Sequence, residues 1–181
     1  RDSHRIQEIK KFYSILTVSL LLASLSFGQS GIKVGVGGVV DMPMGTFGDV
    51  VGIGFGAAVV GEYKVADKMV ATFTTGYLMF AGKEDFFGDW SIIPLMVGGK
   101  YYFADNMYGT VQAGLNMVSI TTPSFDFFGV TVPESTASSS EFGYAVGAGY
   151  EMGDIDLLVK YGSFMTDANY IGLTAIYKFA L

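Results

Sequence analysis

Eight stretches of this chain alternate, residue by residue, between an apolar side and a small or polar one. Side chains of an extended strand point to opposite faces in turn, so a period of two predicts ribbons with one oily face. The first stretch puts Ile32, Val34, Val36, Val40 and Met42 on that face, against Lys33, Gly35, Gly37, Val39 and Asp41. The second sets Val51, Ile53, Phe55, Ala57, Val59 and Tyr63 against Gly52, Gly54, Gly56, Ala58 and Glu62. In the third and fourth, Ala71, Phe73, Tyr77 and Met79, then Ile93, Leu95, Val97 and Tyr101, oppose Thr72, Thr74 and Gly76, then Ile92, Pro94, Met96, Lys100 and Tyr102. The fifth and sixth set Val111, Ala113, Leu115 and Met117, then Phe142, Tyr144, Val146 and Tyr150, against Gln112 and Asn116, then Gly147 and Glu151. The last two do the same with Ile155, Leu157, Val159 and Tyr161 against Asp156 and Lys160, and with Ile171, Leu173, Tyr177 and Phe179 against Gly172 and Lys178. Pro94 cannot donate to a ladder, which predicts a local irregularity in the fourth strand.

A short pattern marks where strands end. Tyr63-Lys64-Val65-Ala66-Asp67, Tyr101-Tyr102-Phe103-Ala104-Asp105, Tyr150-Glu151-Met152-Gly153-Asp154 and Tyr177-Lys178-Phe179 share a Tyr, a mostly polar residue and an apolar one. In three of them an Ala/Gly-Asp pair follows, and such residues suit tight turns. Tyr is the ring that settles where hydrocarbon meets water. The tight turns therefore fall at one end of a series of hairpins, near residues 65–68, 104–106 and 153–154. Longer connections fall at the other, near 43–50, 81–90, 121–140 and 165–168.

The first 28 residues read differently. Arg1, Arg5, Lys10 and Lys11 precede the apolar run from Ile15 to Ala23, and Ser26 and Gly28 flank Phe27. That order predicts a secretory leader over 1–28, cleaved before Gln29, and a barrel domain over 29–181. Without the leader the chain keeps seven Lys against fifteen acids and holds no His, Arg or Cys. This composition excludes disulfides, imidazole or thiolate metal sites and His-dependent triads, and it speaks against nucleic-acid binding. Half of the residues are apolar, yet no stretch after the leader has the unbroken apolar length of a membrane helix. An exported, apolar, strand-forming chain with an even number of strands predicts an all-β fold, an eight-stranded antiparallel up-and-down transmembrane β-barrel.

With these features the chain resembles the small bacterial outer-membrane β-barrel domain family, of the OmpA/OmpX kind, over essentially its whole length after the leader. The resemblance implies a monomer in the outer membrane, in contact with membrane lipid and lipopolysaccharide, without enzymatic activity or cofactor. It also implies insertion by the barrel-assembly machinery, which reads a terminal aromatic residue; here Phe179 is followed by Ala180 and Leu181.

Within that frame the inward face carries a lumenal polar network of Lys33, Asp41, Glu62, Lys100, Gln112, Asn116, Glu151, Asp156, Lys160 and Lys178. Eight strands leave an interior just wide enough for side chains, so these groups predict a salt-bridged plug. Tyr63, Tyr101, Tyr150 and Tyr177 form the aromatic girdle at the periplasmic end. Phe86, Phe87, Trp90, Phe127 and Phe128 supply loop aromatics for extracellular contacts, and Ser135 to Ser140 reads as a flexible solvated stretch. No helix is expected after the leader. Three functions fit: a structural or adhesion-type surface protein; a narrow channel or OmpW-like conduit for small apolar molecules; and a secreted lipocalin-like ligand binder, which needs its oily face turned inward.

Overall fold

The computed structural model describes residues 31–83, 88–127 and 130–180. In them the chain closes into an antiparallel barrel of eight strands: β1 (Ile32–Met44), β2 (Gly54–Ala66), β3 (Met69–Phe80), β4 (Asp89–Tyr102), β5 (Met107–Thr122), β8 (Ser135–Met152), β9 (Ile155–Ser163) and β10 (Asn169–Ala180). A short helix, α1 (Gly45–Val50), follows β1, and a two-stranded hairpin of β6 (Phe125–Phe127) and β7 (Val130–Val132) lies between β5 and β8. Each barrel strand pairs with the next in sequence, and β10 returns to β1 along twelve residue pairs, from Lys33 with Ala180 to Met44 with Asn169. The leader expected over 1–28 lies outside the described residues.

Alternation decides which side of this wall faces what. Phe55, Phe73, Leu95, Val97, Val111, Leu115, Phe142, Val146, Val159 and Leu173 are exposed on the outside, while Asp41, Glu62, Lys100, Gln112, Asn116, Asp156 and Lys178 are buried inside. Val97 and Val111 are each 62% exposed, an arrangement water would penalise and hydrocarbon rewards. A closed barrel also pairs its backbone groups strand to strand, as a membrane demands of anything that crosses it without helices. No described helix is long and apolar enough to cross. The chain spans with strands, and the outward position of its oily face excludes the lipocalin-like reading.

The turns between β2 and β3 and between β8 and β9 need only Asp67-Lys68 and Gly153-Asp154, with Gly153 at a φ of +63°. Pro94 interrupts the ladder between β3 and β4: pairing runs to Thr75 with Leu95, stops, and resumes at Leu78 with Ile92 without a change of register.

Five expectations need correction. The segment 43–50 is not a simple loop, because α1 lies there and carries Phe47 into the barrel mouth. Val51 turns inward, buried, and bridges to Gly82 instead of facing lipid. The segment 121–140 is not one long loop: β5 runs on to Thr122 and β8 starts at Ser135, pairing Met117 with Ser140 out to Thr122 with Ser135. The Ser135 to Ser140 stretch is therefore an ordered strand, although its side chains stay exposed. Trp90 belongs to β4 and pairs with Phe80 and Ile120.

Candidate functional site

The lumen divides into three layers. Nearest the tight turns, β2, β4, β8, β9 and β10 each place one charged side chain at the same height. Lys100 bonds to Glu62 and to Asp156 and lies 3.4 Å from Glu151. Lys178 lies 2.5 Å from Glu151, 3.4 Å from Glu62 and 3.6 Å from Asp156. Two ammonium groups thus thread three carboxylates, one oxygen of each lying within 4.8 Å of the others. Two tyrosines complete the set: Tyr102 donates its hydroxyl to Glu151, and Tyr108 donates to Asp156 at 2.6 Å while Lys100 Nζ sits 4.2 Å from the Tyr108 ring centroid. Below this cluster a mouth of about 480 Å³ opens at the turn end, lined by Lys33, Lys64, Lys68, Asp67 and Asp105.

The middle layer is mostly apolar, with Val39, Ala58, Leu78, Met96 and Ile176 buried on the inner face. It encloses a cavity of about 40 Å³ that reaches from Lys100, Tyr108 and Asp156 up to Lys160 and Thr174. Above the cavity Asp41 is fully buried, and neither of its carboxylate oxygens has a hydrogen-bond partner among the described residues.

The upper layer is an aromatic plug. Phe47 from α1 packs 5.3 Å from both Phe80 and Trp90, centroid to centroid, and 6.3 Å from Phe164. Phe80 meets Phe164 edge-on at 5.7 Å, and Phe164 stacks on Tyr170 at 4.0 Å with the planes 11° apart. Offset and edge-on rings of this kind gain beyond the area they bury. The plug is tied to the wall by polar contacts: Asn116 Nδ2 donates to the Phe164 carbonyl at 2.7 Å, Thr46 Oγ1 to the Asp167 carbonyl at 3.2 Å, and the Lys83 amine to the Gly48 carbonyl.

The ten inward residues expected as one network therefore separate. Glu62, Lys100, Glu151, Asp156 and Lys178 come together. Lys33 is exposed in the turn-end mouth, Gln112 donates to Thr74 at 3.4 Å, Asn116 serves the plug, and Asp41 and Lys160 stand apart from the cluster. Tyr102 belongs to the inner cluster although only its parity hinted at it. Tyr108 shares that parity but precedes the stretch in which the alternation is obvious.

Outside, Tyr63, Tyr101, Tyr150 and Tyr177 all face outward at the turn end, and Tyr177 meets Phe179 edge-on at 4.9 Å. At the opposite end β5 and β8 continue as a ribbon whose outward face changes from Leu115, Met117 and Phe142 to Ser119, Thr121, Thr136, Ser138 and Ser140. Ser119 and Ser138 share a hydrogen bond of 2.8 Å, and Thr121 and Thr136 one of 3.2 Å. Trp90, expected among loop contacts, is a half-buried member of the plug instead, because β4 already begins at Asp89, inside the segment expected as loop. Phe127 is in β6, and Phe86, Phe87 and Phe128 lie outside the described residues.

Solved structures share this architecture. The crystal structure of Ail, the attachment invasion locus protein of Yersinia pestis, aligns with a TM-score of 0.54 at 15% identity, over 83% of this chain and 100% of that one. Neisserial surface protein A aligns with a TM-score of 0.52 at 16% identity, over 84% and 98%. Ail in complex with the heparin analogue sucrose octasulfate aligns with a TM-score of 0.51 at 14% identity, over 83% and 100%. No family model and no curated protein matches the chain. The fold is that of the small eight-stranded outer-membrane β-barrels.

Proposed function

We propose that this outer-membrane barrel is a non-enzymatic surface-contact protein that acts through the β5–β8 ribbon, with its wall in membrane lipid and lipopolysaccharide. One observation carries the reading: the interior is filled by an ionic cluster, an apolar layer and an aromatic plug, while a hydrogen-bonded ribbon stands clear of the apolar belt. A conduit for small apolar molecules needs a continuous path, and Phe47, Phe80, Phe164 and Tyr170 occupy the place where it would emerge. Among the similar structures, one protein is named for attachment and invasion and has been solved with a heparin analogue. Residues 117–141 of this chain include no Lys or Arg, so the partner expected for its ribbon is a neutral, hydroxyl-rich or cationic surface. The chain acts as a monomer in this reading, and the assembly machinery inserts it.

The test compares cells displaying the full barrel with cells displaying one whose residues 119–138 are replaced by a short Gly-Ser turn. Loss of binding to neutral glycan or cationic surfaces, with heat-modifiable barrel migration retained, supports the proposal. Unchanged binding, or single-channel steps of porin size from the purified full-length barrel in planar bilayers, overturns it.

A further inference from the structure

The surface-contact reading leaves Asp41 unused. A carboxylate buried without a hydrogen-bond partner is expensive to hold. This one is fully buried on β1, and both of its oxygens lack a protein hydrogen-bond partner among the described residues. The titratable groups that face it are Lys160 from β9 and Tyr170 from β10. On β2 its paired residue is Gly54, above which the Phe80 ring lies. On β10 its paired residue is Gly172, where a Cβ would overlap Asp41 Oδ1 and lie 2.9 Å from Lys160 Cε. The bare backbone of Gly172 thus lets the carboxylate and the lysine chain approach each other without forming a direct ion pair.

Lys160 is also the upper wall of the cavity of about 40 Å³, whose lower wall is Lys100, Tyr108 and Asp156 of the ionic cluster. Thr174, another wall residue, carries a buried hydroxyl with no protein partner among the described residues. The rest of the cavity wall is mostly apolar, but Lys100, Tyr108, Asp156, Lys160 and Thr174 give a water in it polar partners, and a space of about 40 Å³ is large enough to hold one. The cluster itself borders the open mouth through Glu62 and Glu151. Polar groups therefore mark one route from the turn-end mouth, through the cluster, to Lys160 and Thr174 on the far wall of the cavity, and Asp41 faces Lys160 across Gly172. Beyond Asp41 the rings of Phe80, Phe164, Tyr170 and Phe47 pack together across the lumen.

We propose that Asp41 is the terminal proton-accepting group of a hydrated half-channel that enters from the turn end and is closed by the aromatic plug. Its ligand is water and the protons that water relays. Each hop forms one O–H bond and breaks another, so a proton taken up at Asp41 Oδ1 or Oδ2 is returned along the same path while the plug is in place. The plug is the single barrier, in the way that apolar constrictions gate by excluding water.

Two measurements test this. In the wild-type barrel in lipid bilayers, water-edited solid-state NMR should transfer magnetisation from water to the Asp41 side-chain carboxyl carbon as readily as to Glu151, and not to the rings of Phe80 and Phe164. An Asp41 signal as dry as the rings overturns the proposal. In liposomes containing a pH-reporting dye, the wild type should carry no protons, Phe47→Ala with Phe164→Ala should carry them, and Asp41→Asn added to that pair should abolish the flux while Asp41→Glu retains it. Flux that is indifferent to Asp41→Asn, or absent from a plug variant shown to be folded by heat-modifiable migration, also overturns it.

Discussion

Tyr108 donates its hydroxyl to Asp156 while its ring face carries the Lys100 ammonium, so one aromatic side chain serves both signs of the lumenal cluster. The geometry makes the tyrosine a spacer as well as a donor, since its ring holds the lysine on the side of the barrel where Glu62 and Asp156 meet.

Tyr108→Phe keeps the ring and removes the donor. A hydrogen bond to a charged group is worth about 1.5–3 kcal/mol, and the variant should lose stability in that range. Equilibrium unfolding in denaturant from lipid vesicles measures it.

Gly149→Ala should be far worse, because its Cβ would overlap Tyr108 Cζ and the hydroxyl and stand 2.5 Å from Cε1. Tyr108→Ala in the same chain should restore much of the loss, giving a strongly non-additive pair in the double-mutant cycle. Additive effects would place the cost elsewhere.

Lys100→Met leaves Glu62, Glu151 and Asp156 with Lys178 alone. Breaking a buried ion pair by removing one partner costs about 3–5 kcal/mol. Denaturant midpoints should fall accordingly, and Lys100→Met with Asp156→Leu should recover part of the difference.

Trp90 is the only tryptophan in the chain and touches Phe47 edge-on. Phe47→Ala should shift its fluorescence to longer wavelength and raise its quenching by acrylamide as water enters the plug. A spectrum identical to wild type would mean the helix is not seated as described.

Depth along the outer wall should grade the cost of a charge. Val111→Arg, in the middle of the apolar belt, should destabilise by about 2–4 kcal/mol, as Arg does at a bilayer midplane. Ser138→Arg, on the ribbon beyond the belt, should sit near the roughly 0–1 kcal/mol found at interfaces. Equal costs would contradict the boundary placed between Met117 and Ser119.

The barrel was legible in the alternation because a membrane imposes one rule on all strands: Val111, Val146 and Leu173 must face lipid whatever their neighbours do. What alternation does not encode is height. Which of the inward charges meet depends on strand register, so Glu62, Lys100, Glu151, Asp156 and Lys178 converge while Asp41 and Lys160 sit higher. The ribbon escaped notice because above the belt its outward positions turn to Ser and Thr, and the oily alternation disappears although pairing continues. The helix at Gly45–Val50 escaped because two glycines in six residues argue against one; burial of Phe47 outweighs that weak propensity.

The seam between β1 and β10 has a bearing on how such a wall can come into being. The other junctions join strands that follow one another along the chain, apart from the small hairpin inserted before β8, and can zip as local hairpins. This one joins positions more than a hundred residues apart, and until it forms, two raw edges of the sheet face their surroundings. Half-built, the cylinder has no tolerable resting place in hydrocarbon, so its closing stitch and its entry into the bilayer must be nearly a single event.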